Sequence, residues 1–444
     1  MTFMKRALVL GGGGSRGSYE IGVWKAMRQL NLSYDIITGT SIGSINGALM
    51  VQNEYDKAYE FWSKITVDDV MASGINLDFD LEVLLSQKEK LKPFLKNYIT
   101  NKGADISPLR KIMEEIFDET KLRNSKVDYG LVTLQIPSLK PLELTKNEIP
   151  DGKLTDYILA SASCFPAFPM CKIDGKRYID GGYYDNLPIN LAIKMGATDI
   201  VAVDLFHKNE THPDLINTKP FIKYIVPSWD LGTILNFEHN GLLHNMQLGY
   251  LDTMKQFSKL DGYRYAFKKT TLPWKIDQIG ERYLDLIRTF EAQIPLRNNG
   301  TFLKLLEEDC LTKRLKKHTY QQCLTKKDYV IRGCELGMEA LRMDPLDVYH
   351  LKKVSKEMLE HYHRKERYQY TDLLTKIKNV KTLSKKYEIV KTMDHEYLVG
   401  YLYHRLLEHK KELNDLYLYA AVIPKEVAAA LYLVAVHDVL KYKE

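Results

Sequence analysis

Cysteine is scarce in this chain: five residues in 444, with no Cys-x-x-Cys pair among them. An odd number without that spacing argues against a disulfide framework and against a structural zinc site. The expectation is a reduced, cytoplasmic protein that needs no metal and no cofactor. Long apolar runs are missing as well. None reaches the ~18–20 residues that a membrane-spanning helix requires. Near the N-terminus Lys5 and Arg6 precede an apolar run, but Ala7–Leu10 is short and ends in glycines, which is no secretory core. It reads as a strand. Histidine is absent before His207, and there is no internal repeat and no low-complexity tract.

What is present is the composition of a globular protein, 45% hydrophobic and 27% charged. At 444 residues one core is not enough, and two domains are expected. The net charge of +6 is uneven: 29 basic and 31 acidic residues lie up to position 260, against 34 and 26 beyond it. The basic C-terminal half reads either as a solvated helical surface or as a peripheral contact with an anionic membrane. No nucleic-acid partner is expected, and the sequence carries no signature of oligomeric state.

The first part of the chain alternates strand and helix patterns. Arg6–Leu10 and Tyr34–Thr38 read as strands, each followed by a helical pattern, Gly17 to Leu30 and the stretch after Ser41. Lys126–Ile136, Leu142–Thr145, Asp199–Leu205 and Lys219–Ser228 add further strands. Such alternation implies an α/β three-layer sandwich with a mainly parallel central sheet. Residues 56–125 read mostly helical (Tyr55–Thr66, Asp80–Tyr98, Pro108–Phe117), as a cap inserted into a catalytic domain spanning 1–270. Residues 271–444 read as an α-helical C-terminal domain of unassigned role. Its last helix opens with Pro424, and Val427–Val436 is apolar all round, which suits a buried core helix better than a membrane anchor.

Three short features carry chemistry. The loop Gly11–Gly17 (GGGGSRG) joins the first strand to the first helix, where bare N–H groups and a helix N-terminus can hold an anion. The second, Gly39-Thr40-Ser41-Ile42-Gly43, is a G-x-S-x-G turn from strand to helix, which exposes a serine hydroxyl between small neighbours. The third, Asp180-Gly181-Gly182, ends a strand that returns from a hairpin turn at Asp174-Gly175. A Ser-His-Asp site would have to draw its base from His207, His212 or the helical half, so a Ser41–Asp180 dyad needs fewer assumptions. The glycine loop also fits the dinucleotide fingerprint Gly12-x-Gly14-x-x-Gly17. That reading wants an acid at the end of the second strand, whereas Asp35 lies at its beginning.

In combination, GGGSRG at Gly12–Gly17, GTSIG at Gly39–Gly43 and DGG at Asp180–Gly182 resemble the patatin-like phospholipase family, over roughly residues 5–260. Ala160–Pro169 (ASASCFPAFP) and Gly182–Pro188 (GGYYDNLP) add supporting texture. The resemblance implies a serine acyl hydrolase acting on fatty acyl esters of lipids. It assigns Ser41 as nucleophile, Asp180 as base and Gly12, Gly13 and Gly14 as the oxyanion hole. Arg16, Gly17, Gly39, Gly43, Gly181 and Gly182 are then the supporting motif positions. Phe165 and Phe168 either line an acyl channel or pack the core. The alternatives are a nucleotide-binding protein, or a vestigial hydrolase serving as a membrane or partner adaptor.

Overall fold

The computed structural model describes residues 5–71, 105–165, 167–206, 220–269, 275–293, 309–319, 323–363, 393–408 and 423–441, with 385, 419, 420 and 422. It divides into two compact units, Met1–Phe257 and Ser258–Glu444. The division falls ahead of residue 270 because the stretch just after it already contributes strands to a small sheet of the second unit.

In chain order the first unit holds β1 (Arg6–Leu10), α1 (Ser18–Gln29), β2 (Ile36–Thr40), α2 (Ile42–Val51), α3 (Tyr55–Lys64) and α4 (Val67–Val70). Then follow α5 (Ser107–Ile116), α6 (Glu119–Asn124), β3 (Asp128–Ile136), β4 (Lys140–Thr145), α7 (Leu154–Ser161), β5 (Cys171–Ile173) and β6 (Lys176–Asp180). It closes with α8 (Ile189–Lys194), β7 (Asp199–Val203), β8 (Phe221–Ile225) and α9 (His239–Gln256). The middle of the expected cap, residues 72–104 with the Asp80–Tyr98 helix, lies outside the described residues, as do His207 and His212.

The strands form one sheet in the order β5-β6-β3-β2-β1-β7-β8, with β4 paired to β3. From β3 through β2, β1 and β7 to β8 every pairing is parallel, and β4, β6 and β5 add antiparallel ones. Residues Ala7–Leu10 are fully buried, which is why a short apolar run serves as a central strand. The second strand lies two residues later than its apolar pattern indicates, at Ile36–Thr40. Gly39 looks like a strand breaker, yet a Cβ there would sit 2.2 Å from the Gly43 carbonyl oxygen. The turn back into α2 leaves room for nothing larger.

The arrangement of β3 decides where the chemistry sits. Its long edge first pairs with β2, ending at Thr40 opposite Val132, and then with β6, which ends at Asp180 opposite Thr133. The other edge is taken by β4. The ends of β2 and β6 therefore meet head to head along one edge of β3, and their next residues become neighbours.

Helices α1 and α9 cross at backbone contact. A Cβ on Gly22 would lie 1.8 Å from the Met246 carbonyl oxygen, and one on Gly249 would lie 2.0 Å from that of Tyr19. The Tyr19 hydroxyl donates to Asp252 Oδ2 at 2.8 Å beside this crossing. Gly249→Leu must push the helices apart, and we expect it to cost about 3 kcal/mol or more, since overpacking of a tight contact costs about 1–3 kcal/mol even without backbone displacement. Urea unfolding checks this, and a loss below about 1 kcal/mol would show that the crossing yields freely.

The second unit is mainly helical: α10 (Ile276–Glu291), α11 (Cys310–Lys316), α12 (Lys326–Ala340), α13 (Leu351–His363), α14 (His395–Glu408) and α15 (Pro424–Leu440). A small sheet accompanies them, with Ala266–Lys268 between Leu260–Asp261 and Val348–Tyr349. Strands of two or three residues are too short to leave a periodic signal. Helix α15 is a core helix, buried continuously from Glu426 to Val436. Tyr283 of α10 donates to its Ala428 carbonyl at 2.8 Å, and Tyr432 meets Ser355 of α13 at 2.7 Å. Among the described residues no helix is long and apolar enough to cross a membrane.

Candidate active site

Ser41 follows the last residue of β2 and precedes α2, with φ 56° and ψ −126°. Positive φ is costly for a residue with a Cβ, so the surroundings must hold it there. They do so through three serines and a threonine. Ser41 N–H donates to Ser161 Oγ at 3.0 Å, and Ser44 Oγ donates to the Ser41 carbonyl at 2.6 Å. Thr40 Oγ1 donates to the Asp185 carbonyl at 2.8 Å, and Ser163 accepts the Asp180 N–H at 2.9 Å through its own carbonyl. Close approach fixes the neighbours: a Cβ on Gly43 would come within 2.4 Å of the Leu10 carbonyl oxygen.

The head-to-head strand ends bring Ser41 and Asp180 together. Ser41 Oγ donates to Asp180 Oδ2 at 2.6 Å, and Gly182 N–H donates to Asp180 Oδ1 at 2.7 Å. Asp180 is only 4% exposed. Burial pushes its carboxyl up to about 6, against the opposing pull of the hydrogen bonds from Ser41 and Gly182. A Cβ on Gly181 would stand 2.1 Å from the Val132 carbonyl oxygen, so the chain can leave β6 here only as glycine.

The glycine loop lies against the same serine. A Cβ on Gly12 would be 3.0 Å from Ser41 Cβ and 2.4 Å from Asn186 Oδ1. Gly12 N–H donates to the Asn186 carbonyl at 3.0 Å and is therefore already engaged. Among the described residues the N–H groups of Gly13 and Gly14 have no acceptor. Gly14 has φ 57° and is pressed against Ile234, where a Cβ would fall 2.0 Å from the carbonyl oxygen. Arg16 anchors the loop elsewhere. Its Nε donates to the Gly232 carbonyl at 2.8 Å and its guanidinium lies 4.8 Å over the Phe206 ring, fastening the loop to the 230–234 segment. Gly17 abuts the start of α2, where a Cβ would be 2.5 Å from Ile42.

Phe168 is buried and Phe165 half-buried, the latter accepting the Tyr183 hydroxyl at its carbonyl. The structural supports that motif reading passed over are Ser161 and Asn186. Both fall inside the stretches 160–169 and 182–188, where small and amide side chains next to prolines were their only trace. Beneath the site Glu20 is fully buried, accepting from Asn46 Nδ2 at 2.7 Å; the same Nδ2 reaches the Gly17 carbonyl at 3.0 Å, and Asn46 Oδ1 accepts from Trp62 at 2.8 Å.

A serine on a strand-to-helix turn, a buried carboxylate bonded to it and a glycine loop alongside define a distinct class of three-layer α/β protein. Residues 8–193 match the model of the patatin-like phospholipase family. Patatin-like phospholipase domain-containing protein 7 of Rattus norvegicus is 31% identical over 213 residues, 48% of this chain and 14% of that protein. Lysophospholipase NTE1 of Scheffersomyces stipitis is 30% identical over 211 residues, 46% of this chain and 12% of that protein. The matched stretch is thus a small part of each relative's length. Among solved structures, VipD from Legionella pneumophila aligns over 97% of this chain and 90% of its own, at 11% identity and a TM-score of 0.38.

Proposed function

We propose that this chain is a serine acyl hydrolase that cleaves fatty acyl esters of lipids, of the phospholipase A or lysophospholipase type. The observation that carries the reading is the 2.6 Å hydrogen bond from Ser41 Oγ to a buried Asp180. Asp180 takes the hydroxyl proton as Oγ attacks the ester carbonyl carbon. The oxyanion forms beside the glycine loop, where the N–H groups of Gly13 and Gly14 are the donors still free to receive it. Collapse expels the alcohol or lysolipid with the proton from Asp180 and leaves an acyl-serine. Water then attacks that ester, gives a proton to Asp180 and releases the fatty acid, and Ser41 regains its hydrogen.

The family resemblance and the lysophospholipase named among the relatives support a lipid substrate. All five cysteines are free, which fits a reducing, cytoplasmic setting. The basic excess beyond residue 260 supports a peripheral contact with an anionic surface. The nucleotide reading finds less support. Asp35 accepts the Arg6 N–H at 2.8 Å at the far end of the sheet, away from the glycine loop.

A fluorophosphonate probe tests the assignment. It should label the wild type covalently, fail on Ser41→Ala, and react with Asp180→Asn at least a hundredfold more slowly, since a positioned base contributes about 10²–10⁴-fold. Undiminished labelling of Ser41→Ala would move the nucleophile elsewhere, and a silent wild type would remove the hydrolase reading.

A further inference from the structure

Beside the site the sheet continues past Ser41. Strand β3 runs from Val132, opposite Thr40, on to Ile136, four residues or about 13 Å further at about 3.3 Å each. The β3–β4 and β5–β6 hairpins therefore project together beyond the level of the nucleophile. Their ends are exposed and carry an unusual mixture. Leu139, at the tip of the first, is 60% exposed, and Tyr183 and Tyr184, just after Asp180, are 55% and 54% exposed. On the second, Lys172 stands directly opposite Arg177, with Lys176 next to it.

Like charges facing each other across a strand pair destabilise a hairpin. Among the described residues neither Lys172, Lys176 nor Arg177 has an ion-pair partner, and the acid at that hairpin's turn, Asp174, is held by Lys153 at 3.0 Å. This repulsion gives the fold nothing, and an external anion would relieve it. Exposed tyrosine rings, apolar with a polar tip, suit a headgroup layer, and a leucine at the tip suits the acyl boundary below it. The sources of anion are narrowed by this mixture: a nucleic acid would match the charges but not the leucine.

We infer that this rim, formed by Leu139, Lys172, Lys176, Arg177, Tyr183 and Tyr184, docks the catalytic unit onto an anionic lipid surface with the Ser41 site facing it. The inference rests on the lipid hydrolase reading for its biological sense and adds a surface distinct from the basic residues beyond 260. It makes the enzyme interfacial: ester in a bilayer is reached by docking, whereas a dissolved ester needs no docking.

The test is co-sedimentation of the full chain with vesicles of phosphatidylcholine alone or with about a third phosphatidylglycerol, with hydrolysis of dissolved p-nitrophenyl butyrate measured alongside. The wild type should bind the anionic vesicles preferentially and release them in high salt. The double variant Lys172→Gln/Arg177→Gln, which removes the repulsion and so should fold at least as well, should bind about tenfold or more weakly, as should Leu139→Asp. Both should hydrolyse the dissolved ester at the wild-type rate. Equal vesicle binding by wild type and variants, no binding by the wild type, or equally tight binding to a duplex DNA would each overturn the inference. Loss of dissolved-ester hydrolysis in the wild type itself would overturn the hydrolase reading while leaving the docking result standing.

Discussion

Below about pH 6 the rate of ester hydrolysis should fall close to tenfold with each pH unit. Asp180 accepts the Ser41 proton only when ionised, and burial pushes its carboxyl up to about 6. The profile of kcat/KM against pH for a dissolved ester should therefore show an acid limb with its midpoint near 6, well above the ordinary carboxylate range. Asp180→Asn should lower the plateau by about 10²–10⁴-fold and erase that limb from whatever activity is left. A wild-type midpoint near 4 would mean that Asp180 is open to solvent, and a limb that survives in Asp180→Asn would assign it to another group. The same burial has a consequence for folding. A carboxyl whose folded value is raised from 3.8 to about 6 stabilises the protein at low pH, and that stability is lost as pH rises through this window. The loss is about 1.4 kcal/mol per unit. At neutral pH the inactive Asp180→Asn should consequently resist urea better than the wild type, so the base is held in place at a cost to the fold.

Much of this site was legible in the sequence because its parts are local. The strand Arg6–Leu10 stops where its apolar run stops, and the hairpin at Asp174-Gly175 forms where the dipeptide favours it. Gly39 and Gly43 flank Ser41 for reasons of space that any strand-to-helix turn imposes. What the pattern does not contain is the pairing. That Asp180 meets Ser41 depends on β3 accepting β2 and then β6 along one edge, and no periodicity reports which edges join. The same holds for the oxyanion donors. Three glycines look alike in a row, yet Gly12 N–H is taken by the Asn186 carbonyl from a loop more than 170 residues away, and the distinction exists only after folding. Ser161 was hidden for another reason: a serine near a helix end is usually a solvent contact, and here it accepts the N–H of a strained residue. In the second unit the helices follow from their apolar periodicity, while strands of two residues leave none.

Glu20→Gln should stabilise the first unit, and by an amount that grows with pH. Glu20 is fully buried on α1, and burial pushes its carboxyl up to about 8, partly offset by hydrogen bonds from Asn46 and the Gly11 backbone. In the unfolded chain the group ionises near 4.5, so between about 4.5 and 8 unfolding releases a proton and becomes easier, by about 1.4 kcal/mol per pH unit. The stability is present below 4.5 and is lost as pH rises toward 8. Glutamine keeps an oxygen for Asn46 and cannot ionise, so the variant should match the wild type near pH 4.5 and exceed it by several kcal/mol at pH 8. Asp180 adds the same slope to both proteins, and the difference between their urea midpoints isolates Glu20. Parallel curves across that range would show Glu20 ionised in the fold and would remove the argument. The location gives the effect a functional side. Asn46 ties Glu20 to the Gly17 carbonyl, joining the helix that follows the glycine loop to the helix that follows Ser41. The Asn46 bond favours the carboxylate while burial opposes it, so the cost of ionising Glu20 falls on the stability of this helix pair and should appear in the urea midpoints.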